Sequence, residues 1–281
     1  MEKKQFSVAM CVYGGDNAEH FKEAVDSILN QTVKPDEIVL VIDGPIPKAL
    51  EDAVSLYKNT SILKIVRLEE NQGHGVARRT SLEHCTNELV ALMDADDISV
   101  PQRFEKQLDV LNNNSEVSVV GGNITEFVDT PDNIVGARCV PVNDTKIKEY
   151  LKKRCPMNQV TVMFRKKDVE RVGGYIDWYC EEDYYLWLRM YLAGMRFANV
   201  PEILVNVRVG KEMYGRRGGM KYFKSEEKLQ KYMLKNKIIG IPTYIANVIK
   251  RLVVQVLLPN RLRGWVFQKF ARKKYNEAEK V

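Results

Sequence analysis

The run Leu89-Val-Ala-Leu-Met-Asp-Ala-Asp-Asp97 passes from five apolar residues into a turn with three carboxylates. The apolar part has the composition of a strand that is buried on both faces. In open α/β sheets, ligands bind outside the carboxyl ends of the strands, so this turn lies where a nucleotide site is expected. Three acids within four positions repel one another, and a divalent cation would offset their charge. The run therefore predicts an α/β fold, and a divalent-metal site is one interpretation of its acids.

A structural role is the alternative for the same turn. Asp96, Asp97 and Ser99 also suit turn and N-cap positions before a helix that Pro101 helps to start. An Asp-x-Asp turn by itself does not distinguish these two interpretations. Residues elsewhere in the chain are needed to choose between them.

The residues that precede this run alternate between strand and helix patterns. We predict strands at Phe6–Val12, Glu37–Ile42 and Leu63–Leu68, with amphipathic helices after Asn17 and around Leu50. This alternation is typical of βαβ units. The sequence therefore predicts a Rossmann-like, mostly parallel sheet flanked by helices.

The pattern is looser beyond residue 100. We predict a helix at about Val100–Asn112, strands near Val117–Val128 and Val160–Phe164, and a helix from Glu182 to Ala193. These elements are expected to complete the second side of a binding cleft.

Polar residues near the predicted sheet edge favour a nucleotide site. The carboxylate of Asp43, at the end of the second strand, can accept from a base N–H, and Arg78 offers a planar donor fork to a phosphate or a base carbonyl. Asn71-Gln-Gly73 lies between them in the sequence. A turn residue and a solvated helix charge are the plainer interpretations of Asp43 and Arg78.

A second acidic group, Glu181-Glu-Asp183, opens the predicted helix that contains Trp187. The helix dipole favours acids at this position, so a capping role is one interpretation. A carboxylate held near Trp178, Tyr179 and Trp187 would also be dry enough to act as a general base.

Taken in order, the motifs are Ser7-Val-Ala-Met-Cys-Val-Tyr13, Ser27-Ile-Leu-Asn-Gln-Thr32, Glu37-Ile-Val-Leu-Val-Ile-Asp-Gly44, Asn71-Gln-Gly73, Ala77-Arg78, Leu92-Met-Asp-Ala-Asp-Asp97, Val162-Met-Phe-Arg165, Gly173-Gly-Tyr175, and Glu182-Asp183 with Leu186-Trp187. Over roughly residues 5–210 the chain thus resembles the family 2 glycosyltransferases, which are inverting enzymes of the GT-A fold. The resemblance is closest to the branch that builds capsular and other extracellular polysaccharides. It implies transfer of a hexose from a nucleotide-diphosphate sugar, with UDP expected, to a hydroxyl of a lipid-linked glycan.

The resemblance implies a role for each matched position. Asp183 is expected to deprotonate the acceptor hydroxyl, with Glu182 beside it. Asp96 is expected to hold Mn²⁺ or Mg²⁺, and Asp94 to contact the metal or the ribose. The residues expected to bind the nucleotide are Tyr13, Asp43, Asn71, Arg78 and Asp94, of which Asp43 would read the uracil.

Three features depart from the family pattern. Ile42 precedes a single acid where many relatives have two, and Gln159 replaces a common histidine, so that contact does not titrate. The Gln-x-x-Arg-Trp motif of processive polysaccharide synthases is absent, which predicts one transfer per binding event.

Residues 211–281 carry a net charge of +13, whereas residues 1–210, the expected catalytic domain, carry −7. A predicted helix here has an apolar face (Ile245, Val248, Ile249, Leu252, Val253, Val256, Leu257) and a polar face (Asn247, Lys250, Arg251, Gln255). Its apolar run is too short to span a bilayer. With the cations and aromatics of residues 261–274, it predicts a basic extension on the membrane surface. The alternative is that its apolar face packs on the catalytic domain. Separately, the segment Arg216-Arg-Gly-Gly219 is expected to close over the donor diphosphate.

Other sequence features indicate where the protein is located and which other classes of protein it could belong to. Five scattered cysteines and a start without a signal-peptide pattern predict a reduced, cytoplasmic protein. Together with the basic extension, this predicts a location on the inner face of the cell membrane. No nucleic-acid recognition motif accompanies the basic tail. A sugar-1-phosphate nucleotidyltransferase would need a glycine-rich loop that Tyr13-Gly-Gly-Asp16 matches poorly. A non-catalytic membrane-surface protein would leave both acidic groups unexplained.

Overall fold

A computed structural model describes residues 4–210 and 218–259, to which all structural statements below refer. The first half alternates as predicted: β1 (Phe6–Tyr13), α1 (Ala18–Leu29), β2 (Glu37–Asp43), α2 (Lys48–Ser55), β3 (Leu63–Leu68), α3 (His74–His84) and β4 (Leu89–Asp94). These four strands are parallel and lie in the order β3-β2-β1-β4. The strand predictions in this half are confirmed to within one residue.

The second half extends the sheet with mixed directions. Its elements are β5 (Ile98–Ser99), α4 (Arg103–Asn113), β6 (Val117–Phe127), β7 (Ile134–Arg138), α5 (Asp144–Leu151), β8 (Met163–Arg165), α6 (Lys166–Arg171), α7 (Glu182–Leu192) and β9 (Arg196–Arg208). β8 joins β4 to β6 with antiparallel pairing on both sides, and β6 and β9 are parallel. The result is the expected mostly parallel α/β sheet with helices around it.

The strand predicted near Val160–Phe164 is wrong in its first part. Gln159–Thr161 forms a 3₁₀ turn, and β8 starts only at Met163. The turn forms because the backbone N–H and the hydroxyl of Thr161 both donate to the carbonyl of Asn158, at 2.9 and 2.7 Å. A side chain that bonds a nearby backbone carbonyl competes with strand pairing.

Helices cover both faces of the sheet, as the apolar strands predicted. On one face, Val8 and Met10 of β1 pack with Phe21 of α1 and Phe104 of α4. On the other face, Ala9 belongs to a cluster with residues of α5, α7 and β8 that include Ile147, Trp187 and Phe164. Because successive side chains of a strand point to opposite faces, the two cores together fix which face each residue of β1 presents.

The basic extension begins with two helices, α8 (Met220–Lys235) and α9 (Ile241–Leu252), and a π-helical turn at Val253–Leu257. Leu229 and Met233 of α8 join the buried cluster that contains Trp187, so the extension packs against α7. No described helix is long and apolar enough to cross a membrane. Arg216, Arg217 and the basic run of residues 261–274 lie outside the described residues, and the domain boundary at residue 210 stays a prediction.

The end of β9 holds the acidic turn that follows β4. The backbone N–H of Arg208 donates to Asp97 Oδ1 at 2.8 Å, and its Nε donates to the carbonyl of Asp96 at 3.1 Å. The same guanidinium donates to the carbonyl of Asp129, pairs with Glu23 and lies over the Phe127 ring. One largely buried cation thus joins four segments of the chain.

Replacing Arg208 by methionine should lower the free energy of unfolding by about 2 kcal/mol, because a charged donor with several partners is lost while the stem over Phe127 is kept. The measurement is urea unfolding. Arg196→Met, at the other end of β9, is the control, since Arg196 is exposed and pairs with Glu116; it should change stability by less than about 0.5 kcal/mol. Equal losses in the two variants would contradict the role given to Arg208.

Candidate active site

The parallel register brings the predicted site residues to one edge of the sheet. Tyr13 pairs with Asp43, and Cys11 pairs with Asp94, so the carboxyl ends of β1, β2 and β4 lie side by side. They open into a cleft of about 650 Å³. Its lining includes the predicted residues Tyr13, Asp43, Asn71, Arg78, Asp94 and Asp96.

Asp43 shapes the wall of this cleft through the loop that precedes α3. Its Oδ1 accepts from the N–H of Gln72 at 2.7 Å, and its Oδ2 accepts from the N–H of Gly73 at 2.9 Å. The next residue, Gly44, has a φ of +81°, and a Cβ there would lie 2.5 Å from the nitrogen of Asn71. Because each carboxylate oxygen can accept a further hydrogen bond, this role leaves room for a base N–H. The reading of uracil by Asp43 stays a prediction.

Arg78 connects the cleft to the start of α7. Its Nη1 donates to Glu182 Oε1 at 2.7 Å and its Nη2 to Asp94 Oδ1 at 3.2 Å, while its side chain is only 12% exposed. Burial alone would lower the pKa of Arg78, but the carboxylates of Asp94 and Glu182 outweigh that effect and raise it. Arg78 is therefore not the solvated helix charge that its plainer interpretation assumed.

The three acids of the turn after β4 divide into two groups. Asp94 and Asp96 line the cleft, whereas Asp97 is 3% exposed and bonded to the backbone of Arg208. Burial, together with the charges of Asp96 and Asp94, raises the pKa of Asp97 well above its ordinary value. The N-cap interpretation is wrong, because α4 begins at Arg103 after Gln102 without a side-chain cap. Asp97 instead fixes the turn to β9.

The acids that could hold a metal are few. Among the residues described, no group of three or more His, Cys, Asp or Glu side chains is arranged to bind a metal ion. Mg²⁺ and Mn²⁺ need only one or two protein carboxylates when water and a diphosphate supply the other oxygens. Asp94 and Asp96 fit that kind of site.

The second acidic group surrounds the first residues of α7. Asp183 Oδ1 accepts from its neighbour's backbone N–H at 2.6 Å, and Cys155 Sγ lies 3.8 Å from Oδ2. Burial and the charge of Glu182 raise the pKa of Asp183 to about 6. Burial and the charge of Asp183 raise the pKa of Glu181 to about 8. Asp183 lies next to Glu182 in the chain, and the described cleft lining does not include it.

Several cleft residues were missed by the sequence reasoning. Asp16, Asn17, His20 and His74 also line the cleft. The turn Tyr13-Gly-Gly-Asp16 directly after β1 was the available signal, because it follows a strand that ends at the same sheet edge. Gln159, at the position of the family's histidine, donates to the hydroxyl of the buried Tyr175 at 2.8 Å.

Comparisons with known sequences show the family of this chain. Residues 7–173 match the family model for glycosyl transferase family 2. An uncharacterized glycosyltransferase of Haemophilus influenzae is 39% identical over 96% of this chain and 100% of its own length. The Escherichia coli UDP-Gal:alpha-D-GlcNAc-diphosphoundecaprenol beta-1,3-galactosyltransferase is 36% identical over 96% of this chain and 97% of its own. The amylovoran biosynthesis glycosyltransferase AmsE of Erwinia amylovora is 34% identical over 94% and 98%.

Solved structures show the same fold. TarS 1-349 of S. aureus, in complex with UDP-GlcNAc, has a TM-score of 0.66 and 18% identity, covering 98% of this chain and 77% of that one. The mannosyltransferase PcManGT of Pyrobaculum calidifontis, in complex with GDP-Man and Mn²⁺, has a TM-score of 0.62 and 18% identity over 93% and 72%. The GT-A fold is thus confirmed, and the nucleotidyltransferase and non-catalytic alternatives are set aside: this chain belongs to glycosyl transferase family 2 and is a glycosyltransferase.

Proposed function

We propose that the enzyme is an inverting, non-processive hexosyltransferase that moves a hexose from a UDP-linked donor to a hydroxyl of a lipid-linked glycan in cell-surface polysaccharide synthesis. The observation that carries this proposal is the Asp94–Arg78–Glu182 bridge, which joins the nucleotide side of the cleft to the acids of α7. The galactosyltransferase relative, whose name gives a UDP-Gal donor and a diphosphoundecaprenol acceptor, supports the substrate classes. AmsE supports the link to polysaccharide synthesis.

The donor would lie across the ends of β1, β2 and β4. Tyr13, Asp43 and Asn71 are proposed to contact the nucleoside, and Arg78 to direct its charge toward the diphosphate. Asp94 and Asp96 would hold Mn²⁺ or Mg²⁺, as the Mn²⁺ complex of PcManGT supports. A bound divalent cation would supply the positive charge that stabilises the departing diphosphate.

Asp183 is the proposed base. Its carboxylate takes the proton from the acceptor hydroxyl, the freed oxygen forms a bond to the anomeric carbon, and the bond from that carbon to the diphosphate breaks on the opposite face. One carboxylate is sufficient for this displacement, whereas glycoside hydrolysis needs two. Because Arg78 binds Glu182, we assign Glu182 to positioning Asp183 rather than to proton transfer.

The proposed place of action is the cytoplasmic face of the cell membrane. The donor is water-soluble, whereas the lipid of the acceptor is held in the bilayer. The enzyme must therefore work at the boundary between the two, as a peripheral protein.

The function is tested by a donor screen on the purified chain with a GlcNAc-diphosphate-lipid acceptor, measuring nucleotide diphosphate release with Mn²⁺ and with EDTA. We expect release from a UDP-hexose only with metal.

Asp183→Asn should keep donor binding and lose transfer by about 10³-fold, whereas Asp96→Ala should lose metal-dependent donor binding. Asp109→Asn, which changes an exposed acid of α4, is the control. Full transfer by Asp183→Asn, or full transfer in EDTA, would refute the assigned roles.

The rate should also depend on pH in a way set by Asp183. Since a base must be deprotonated, kcat/KM should be constant above pH 6 and fall about tenfold per unit below it, which follows from the raised pKa of about 6. Glu182→Gln removes a charge that raises this pKa, so the acid limb should move to lower pH. An acid limb near pH 4 in the unmodified enzyme, or one that does not move in Glu182→Gln, would contradict the assignment.

A further inference from the structure

The last described helix, α9, docks on the catalytic domain with its polar side. Asn247 Nδ2 donates to the carbonyl of Lys152, at the end of α5, at 3.1 Å and to Gln230 Oε1 of α8 at 2.8 Å. Arg251 pairs with Glu226 of α8, and its Nη2 donates to the carbonyl of Lys153 at 3.2 Å. The expected alternative, in which the apolar face packs on the domain, is therefore wrong for the exposed part of that face, whereas Val248, Leu252 and Val256 are half-buried.

The opposite side of α9 carries an apolar stripe, defined as Ile241, Ile245, Ile249, Val253 and Leu257. These residues are spaced by four and lie on one face of the helix and its π-helical end. Each is between 40% and 65% exposed. Single exposed aliphatic residues are common, but a continuous row over about four turns marks an interaction surface.

The charge of the sequence that contains the stripe indicates the partner. Residues 235–276 contain ten lysines and arginines and no acid. A second copy of the chain would bring two cationic surfaces together, whereas an anionic bilayer complements both the charge and the apolar row. A helix with this pattern lies in the plane of the interface, with its apolar face at the level of the headgroups.

The stripe is structurally connected to the acids of α7. Ser225 of α8 donates its hydroxyl to the carbonyl of Tyr179 at 2.6 Å and accepts from Trp178 Nε1 at its own carbonyl at 3.4 Å. Residues 178 and 179 lie in the loop that leads into α7. α8 therefore joins the membrane-facing helix to the segment that carries Glu182 and Asp183.

We propose that the apolar stripe of α9 inserts into the surface of an anionic bilayer. The α7 acids are thereby held beside the membrane, where, if the proposed function holds, a lipid-linked acceptor presents its sugar. The membrane surface is recognised by two chemical features together, the aliphatic side chains on α9 and the excess of cations in the same stretch of sequence.

The test is sedimentation of the full chain with vesicles of phosphatidylglycerol and phosphatidylcholine, compared with phosphatidylcholine alone. Ile245→Ser with Ile249→Ser should weaken binding to the anionic vesicles by about tenfold or more. The matched control is Leu56→Ser with Val135→Ser, which changes two exposed aliphatic residues elsewhere and should bind as the unmodified chain does. Thermal unfolding and transfer to a water-soluble acceptor should be unchanged in both variants.

Equal vesicle binding by the stripe variant and the unmodified chain would overturn the proposal, because the cations alone would then suffice. Light scattering that shows a dimer for the unmodified chain and a monomer for the stripe variant would also overturn it, in favour of a second copy. Stripe-dependent vesicle binding without any sugar transfer would support the membrane surface and reject the proposed function, so the two failures are distinguishable.

Discussion

Arg78 carries its charge inside the protein, between the carboxylates of Asp94 and Glu182. A largely buried guanidinium is stable only while both partners remain, since loss of one leaves an uncompensated charge. The end of β4 and the start of α7 are therefore held in a fixed relation, although they are 88 positions apart in the chain. Everything proposed for the site depends on this bridge, because it holds the proposed metal ligand Asp94 in a fixed relation to the segment that contains the proposed base Asp183.

The sequence predicted well, for a physical reason, which side chains meet at the cleft. β1, β2 and β4 are apolar runs covered on both faces, and parallel strands bring their carboxyl ends to one edge. The bonds from Arg208 to the acidic turn were not predictable. Pro201-Glu202 interrupts the strand pattern in the sequence of β9, and the partner strand β6 lies much earlier in the chain. Asp97 turns inward because its carboxylate accepts from the backbone of Arg208 in β9. Since β9 was not predicted from the sequence, the different positions of Asp96 and Asp97 could not be predicted either.

The extension shows a different limit. Periodicity gave the two faces of α9 correctly, but the hydrophobic effect alone favours packing of the apolar face. Asn247 and Arg251 dock instead because Gln230, Glu226 and the carbonyls that end α5 meet their hydrogen-bonding groups. No residue pattern encodes those distant partners. Their presence leaves the aliphatic row outside, which connects the fold of the domain to the membrane that the proposed acceptor requires.

A double-mutant cycle on Arg78 and Glu182 tests the central claim most directly, with kcat and donor dissociation constants measured for Arg78→Met, Glu182→Gln and the pair. If the guanidinium joins the two sides, Arg78→Met should weaken donor binding and also lower kcat by about 10²-fold, the cost of a misplaced base. The double variant should then be no worse in kcat than Arg78→Met alone. Weaker donor binding with an unchanged kcat, or losses in kcat that add, would contradict the account.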